Sequence, residues 1–328
     1  MEDTRKFWTK ERGASLFLLV IILIFIGNSL FNRISNQILS LLVTQLLILV
    51  PAFIYMLILK VNPFQFIRFR RFHLGSAFLI PLLVICLVPV ISLVNAFTML
   101  FTTPTIGNAV SDIVSGNLGI GLLFVAVLPG FVEEITFRGA IYHSVRGARP
   151  VRAILLSALM FGAMHMNFNQ FCYATILGLV LGLVLEATGS IVATMLLHMC
   201  FNANSVVLSY GLTKLMNYMS RMGVPGYEDA LNQAASQQMS PSDALAAMAV
   251  LLPVAAVGLV LAAILYYCIA KLNKRWYYIC FLFSKNTKDQ RDTYEKPQIV
   301  YAPTIACFVL CFGMCILQEL VARGIIHF

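Results

Sequence analysis

Glu133 and Glu134 are adjacent carboxylates in PGFVEEITFRGAIYH, and Arg138 follows four residues after the second, all inside an otherwise apolar run. Two histidines lie in later apolar runs: His165 in FGAMHMN and His198 in LLHMCFNANS, where Asn202 stands one turn further on. Residues of these types can hydrolyse a peptide bond. A carboxylate in a dry pocket acts as general base toward water, and a histidine orients that water or shuttles its proton. Asn202 and one histidine could donate hydrogen bonds to the oxyanion that forms when water attacks a carbonyl. Glu133, His165 and His198 are equally sufficient ligand types for a catalytic zinc with an open position. The residue types leave both routes open.

Helical spacing separates the carboxylates. Glu134 and Arg138, at i and i+4, share a face and form a natural ion pair, which by itself would serve only to hold helices together. Glu133 is rotated by about 100° from its neighbour and has no such partner. Phe161 lies one turn before His165, and His198 shares a face with Asn202.

These groups must be positioned within a membrane. The 328 residues are 60% hydrophobic and 11% charged, far from the soluble norm of about 25% charged. Apolar runs at 14–31, 38–59, 76–101, 118–145, 151–165, 171–187, 190–210, 246–270 and 301–322 predict a single all-α, polytopic membrane domain of about nine transmembrane helices. The first run follows a basic start but no clear cleavage pattern, and reads as a retained span. With the N-terminus in the cytosol, four basic residues fall there, four in Lys60–Arg71, three in Arg146–Arg152 and seven in Lys271–Lys296, so eighteen of 23 are inside. The C-terminus is then outside. The net charge of +9 is mostly this orientation signal, with attraction to anionic membrane lipids, and gives no reason to expect nucleic acid.

Residues 211–245 read as an external loop in which Ser240 and Pro241 begin the eighth span. Val61–His73, mixing aromatics with arginines, suits a cytoplasmic interfacial helix. Residues 271–300 form a basic cytoplasmic segment, and 301–322 an additional C-terminal helix. Cys307, Cys311 and Cys315 read as small buried hydrophobes rather than a soft-metal stripe. At about 1.5 Å per residue, Glu133, His165 and His198 lie roughly 18, 21 and 12 Å from the cytoplasmic ends of their spans. Ionisable groups at such depth mark a functional site. Their common band predicts a polar cavity open to the cytosol.

EEITFR, FGAMH and HMCFN resemble, in order, the EExxxR, FxxxH and HxxxN motifs of the CAAX protease and bacteriocin-processing family of intramembrane proteases, which includes the Ras-converting CAAX endoprotease. Asn169–His198, with its Thr-Gly-Ser turn at Thr188 to Ser190, is similar to that family's spacer, and the resemblance covers residues 118–210 as a catalytic core. It implies that Glu133 activates water with His165, that His198 and Asn202 stabilise the oxyanion, and that Glu134 and Arg138 hold the site, supported by Phe161. A glutamate-type, metal-free peptidase is favoured, because Asn202 is a better hydrogen-bond donor than metal ligand. The alternative is zinc on Glu133, His165 and His198. The implied substrate is a membrane-associated, prenylated or short peptide or a lipidated protein.

Two other classes compete. A bacteriocin-immunity or scaffold protein would use the same polar cluster to bind a peptide or a partner membrane protein. A proton-coupled transporter would use it as a relay, but no second copy of the motif-bearing segment suggests inverted repeats.

Overall fold

The computed structural model describes residues 14–27, 36–103, 113, 116–146, 150–223, 241–284 and 300–326. Its helices are α1 (Ala14–Gly27), α2 (Gln37–Ile58), α3 (Pro63–Phe66), α4 (Leu74–Thr98), α5 (Leu118–Arg146), α6 (Pro150–Ala163), α7 (Phe168–Thr188), α8 (Ile191–Arg221), α9 (Pro241–Leu272), α10 (Trp276–Phe283) and α11 (Ala302–Ala322). No strand occurs among the described residues. Seven helices are long and apolar enough to cross a membrane: α2, α4, α5, α7, α8, α9 and α11. With the shorter apolar α1 and α6 they account for all nine predicted runs.

The boundaries follow local chemistry. Asn36, Asn117, Asn167 and Ser190 cap α2, α5, α7 and α8 by accepting from backbone N–H groups within three residues. Pro241 opens α9, as expected for a proline at the first helical position; the Ser240 cap lies outside the described residues, as do the basic N-terminal residues and Asn286–Pro297. The predicted external loop starts later than 211, because α8 continues to Arg221. Hydropathy declines along GLTKLMNYMSR, but the good helix formers Leu212, Lys214, Leu215, Met216, Met219 and Arg221 outnumber the weaker ones. The interfacial helix expected over Val61–His73 is one turn, Pro63–Phe66. Beyond it the backbone turns, with Arg68 at φ 56°.

α5 is not a uniform α-helix. Leu122–Val127 and Ile135–Ile141 are π-helical, flanking the α-helical turn that carries Glu133 and Glu134. Pro129 explains the first stretch: it has no N–H for the Val125 carbonyl, so the ladder widens ahead of it. In the second, the His143 ring takes up carbonyls, its Nδ1 lying 2.7 Å from the Arg138 oxygen and 2.9 Å from that of Gly139. Since a carbonyl can only accept, Nδ1 carries the proton.

Two apolar cores pack against this framework. One joins α1, α2, α5, α6 and α11 through Phe17, Met56, Phe137, Ile141, Met160 and Cys311. The other joins α4, α7, α8, α9 and α10 through Ile80, Leu83, Leu181, Leu197 and Ile269. Cys307, Cys311 and Cys315 are buried free thiols of the α11 face, consistent with their reading as small hydrophobes. The outer surface carries large exposed side chains such as Leu57, Phe78, Val250 and Val309. In water that would be an aggregation surface; in a bilayer it is the lipid contact.

α6 is the element that carries Phe161 and leads into the turn at His165. Its 14 residues reach only about 21 Å, short of a hydrocarbon core of about 30 Å. The chain turns back at His165 through non-helical backbone, which is tolerated at that depth only inside protein. His165 and Met166 donate to the Gly162 and Ala163 carbonyls at 3.2 and 3.0 Å, and the Asn167 side chain accepts from Gln170 N–H at 3.0 Å. The turn therefore leaves few polar groups unpaired.

Candidate active site

The centre of the cluster is His198 on α8. Its Nδ1 lies 3.0 Å from Glu134 Oε1, and its Nε2 faces Glu133 Oε2 at 3.9 Å. A carboxylate accepts, so Nδ1 is the donor, and the ring is fixed with Nε2 turned to Glu133. The same Glu134 oxygen accepts from Arg138 Nη1 at 2.9 Å. Glu134, Arg138 and His198 are 0, 1 and 2% exposed, so this is a buried ion pair with a histidine attached. Its value is orientation, because the desolvation of two charges offsets much of their attraction.

Phe161 on α6 joins the two histidines. Its ring meets those of His165 and His198 edge-on at 5.3 and 5.7 Å, and the Arg138 guanidinium lies 4.2 Å above its face. This cation–π contact is strengthened by desolvation. His165 Nδ1 is 2.9 Å from the Phe161 carbonyl, so it donates there and leaves Nε2 as an acceptor. Asn202 is half-buried one turn beyond His198 and makes no hydrogen bond among the described residues.

The structure thus brings Glu133, Glu134, Arg138, Phe161 and His198 into direct contact, and joins His165 to them through Phe161. Sequence reasoning missed Gln45 of α2, whose Nε2 donates to Glu133 Oε1 at 3.4 Å. Its signal was available: an amide alone in the apolar run LSLLVTQLLILVPAF needs a reason. Gln45 Oε1, Glu134 Oε2 and Arg138 Nη2 are buried without a hydrogen-bond partner.

Among the described residues, no group of three or more His, Cys, Asp or Glu is arranged to hold a metal ion. Each histidine donates through Nδ1, His165 to the Phe161 carbonyl and His198 to Glu134, which leaves both Nε2 atoms open; such an anchored ring can meet either a water or a metal.

A second polar cluster closes one end of the bundle. Glu186, fully buried near the end of α7, accepts from Arg68 Nη1 at 3.1 Å, Tyr142 Oη at 2.8 Å, Arg146 Nε at 2.8 Å and Tyr278 Oη at 2.6 Å. Arg275 adds an ion pair at 3.6 Å and donates to the Glu186 carbonyl at 2.6 Å. Arg146 also donates to Tyr278. Burial first, then the bond to Glu186, holds the Tyr278 phenol above its ordinary range, so it remains a donor. This one carboxylate ties α5, α7, α10 and the loop after α3.

Residues 115–204 match the family model described as type II CAAX prenyl endopeptidase Rce1-like. Over that segment, just over a quarter of its length, the chain is similar to this family. The match includes every residue of the cluster except Gln45, from Glu133 to Asn202. It bears out the resemblance read from the three motifs, and its description supports peptidase activity in a multi-pass membrane protein. No curated protein and no solved structure matches the chain.

Proposed function

We propose that the chain is an intramembrane endopeptidase of the glutamate type, acting on a membrane-associated peptide such as a prenylated C-terminus. The observation that carries this reading is His198 held by Glu134 with its free nitrogen toward Glu133. The 3.9 Å between Nε2 and Oε2 exceeds a hydrogen bond, so the two atoms can share a reacting group instead of satisfying each other.

Glu133 takes a proton from water, oriented by the His165 acceptor, as the water oxygen attacks the scissile carbonyl carbon. The resulting oxyanion accepts hydrogen bonds from Asn202 Nδ2 and His198 Nε2. Because His198 Nδ1 already donates to Glu134, donation from Nε2 requires both ring nitrogens to be protonated, with the two carboxylates compensating the charge. Glu133 then gives its proton to the departing nitrogen as the C–N bond breaks, leaving acid and amine. Gln45 and the Glu134–Arg138 pair position the base and the imidazole.

The test is cleavage of a prenylated CAAX peptide by the purified full chain in lipid. Glu133→Gln is expected to lower kcat by at least about 100-fold, and Asn202→Ala by about 10²–10³-fold. Wild-type activity in Glu133→Gln would overturn the base. Activity lost to chelator and restored by zinc would replace this mechanism by a metal route on Glu133, His165 and His198. Cleavage only of unprenylated peptides would leave the protease and change its substrate.

A further inference from the structure

At the end of the bundle closed by Glu186 lies a cleft of about 520 Å³, lined by Arg68, Arg70, Arg71, Lys274 and Arg275 over a floor at Gly189. Arg68 and Arg275 share Glu186. The side chains of Arg70, Arg71 and Lys274 make no ion pair with any described residue, and no carboxylate lines the cleft. Five cations gathered around one concavity repel each other, and the repulsion is relieved by an anion at their centre.

The cations are held in place by the backbone. Ser190 donates its hydroxyl to the Arg70 carbonyl, and the Ile191 N–H donates to that of Arg68 at 3.1 Å. Across the cleft, Asn273 accepts from His73 N–H at 2.9 Å and donates to Ser76 Oγ at 2.8 Å. The two cationic loops are thereby joined to each other and to the Thr-Gly-Ser turn. Arg68 and Lys274 sit at φ 56° and 58°, conformations that a side-chain-bearing residue keeps only where its surroundings impose them. Gly189, at φ 70°, lies under Arg275: a Cβ there would be 3.4 Å from Nη1.

The cleft lies where α4 and α8 begin and α7 and α9 end, the level at which a bilayer presents its headgroups. Exposed Phe69, Leu74 and Tyr277 stand beside the cations, the mixture of aromatic and basic side chains that suits this level. The charge pattern places this face on the cytosolic side, where anionic lipids gather and basic pockets between helices take their phosphates.

We propose that this cleft is a binding site for a phosphate-bearing anion, supplied by the headgroup of an anionic phospholipid or by free phosphate. The site is separate from the glutamate–histidine cluster and stands whether or not that cluster cleaves peptides.

Thermal unfolding of the full chain in phosphatidylcholine–detergent micelles tests it. One arm adds phosphatidylglycerol and the other inorganic phosphate, each to the wild type, to a rim variant (Arg70→Gln, Arg71→Gln, Lys274→Gln) and to a charge-matched control on the same face (Lys60→Gln, Arg152→Gln, Lys271→Gln). Each variant is compared with its own unliganded midpoint. The expected result is a saturable rise in midpoint for the wild type and the control, with apparent affinity at least tenfold weaker in the rim variant. A rise with phosphatidylglycerol alone identifies the lipid as source, and a rise with inorganic phosphate identifies the free anion. No saturable rise in either arm, or equal responses in the rim variant and the control, overturns the site.

Discussion

His198 is the residue on which the candidate site turns, because one ring serves both carboxylates. Glu134→Gln keeps the shape but removes the charge that pairs with Arg138 and compensates the imidazole. It leaves a buried guanidinium without its partner, at a cost of about 3–5 kcal/mol, and is expected to lower both Tm and kcat. Gln45→Leu makes a cleaner test. It removes the donor to Glu133 but leaves the Glu134–Arg138 ion pair intact, so about a tenfold loss in kcat with KM little changed is expected from a lost hydrogen bond to a charged group of roughly 1.5 kcal/mol or more. An equal change in KM would instead place Gln45 against the substrate. Spacing alone found the pair Glu134–Arg138 and isolated Glu133, since i,i+4 geometry is local. It could not find Gln45, which is 88 residues away and reaches the site by the packing of α2 on α5.

At the scale of elements, the nine apolar runs and most helix ends were legible because a bilayer imposes apolar length and the caps are local. The two π-helical stretches of α5 were not, although Pro129 signals the first. Nor was the closeness of α6 to α7. At Gly178 a Cβ would lie 2.9 Å from Ala158 Cα and 3.1 Å from Arg138 Nη2. Gly178→Ala is therefore expected to cost about 1–3 kcal/mol by overpacking, read as a lower Tm. It should also depress kcat, because the atom it displaces belongs to the Glu134 pair. A stable, fully active Gly178→Ala would mean that the two helices separate without moving Arg138.

For the whole molecule, the distribution of charge gives an orientation that can be measured directly. Cys280 is exposed on α10, beside the Glu186 cluster. With the basic face in the cytosol, a membrane-impermeant maleimide should label Cys280 only after cells are permeabilised; labelling in intact cells would invert the topology. That cluster was only half visible in the sequence. Glu186 is a lone carboxylate at the end of the apolar run 171–187, but its partners come from residues 68, 142, 146, 275 and 278. Glu186→Gln should unpair several guanidiniums together and cost at least about 3–5 kcal/mol, seen in Tm. α5 links the two ends of this arrangement, with Glu133 and Glu134 before its second π-helical stretch and Tyr142 and Arg146 after it. A wide turn of this kind accommodates one residue more than a regular ladder. Deleting a single residue between 139 and 141 is therefore expected to close the wide turn to a regular ladder with Tyr142 and Arg146 still near Glu186, whereas a deletion between 143 and 145, in the regular stretch, would turn Arg146 by about 100° away from Glu186 while Glu133 and His198 kept their places. The reading frame of this helix, and not only its composition, is part of what the protein has to preserve.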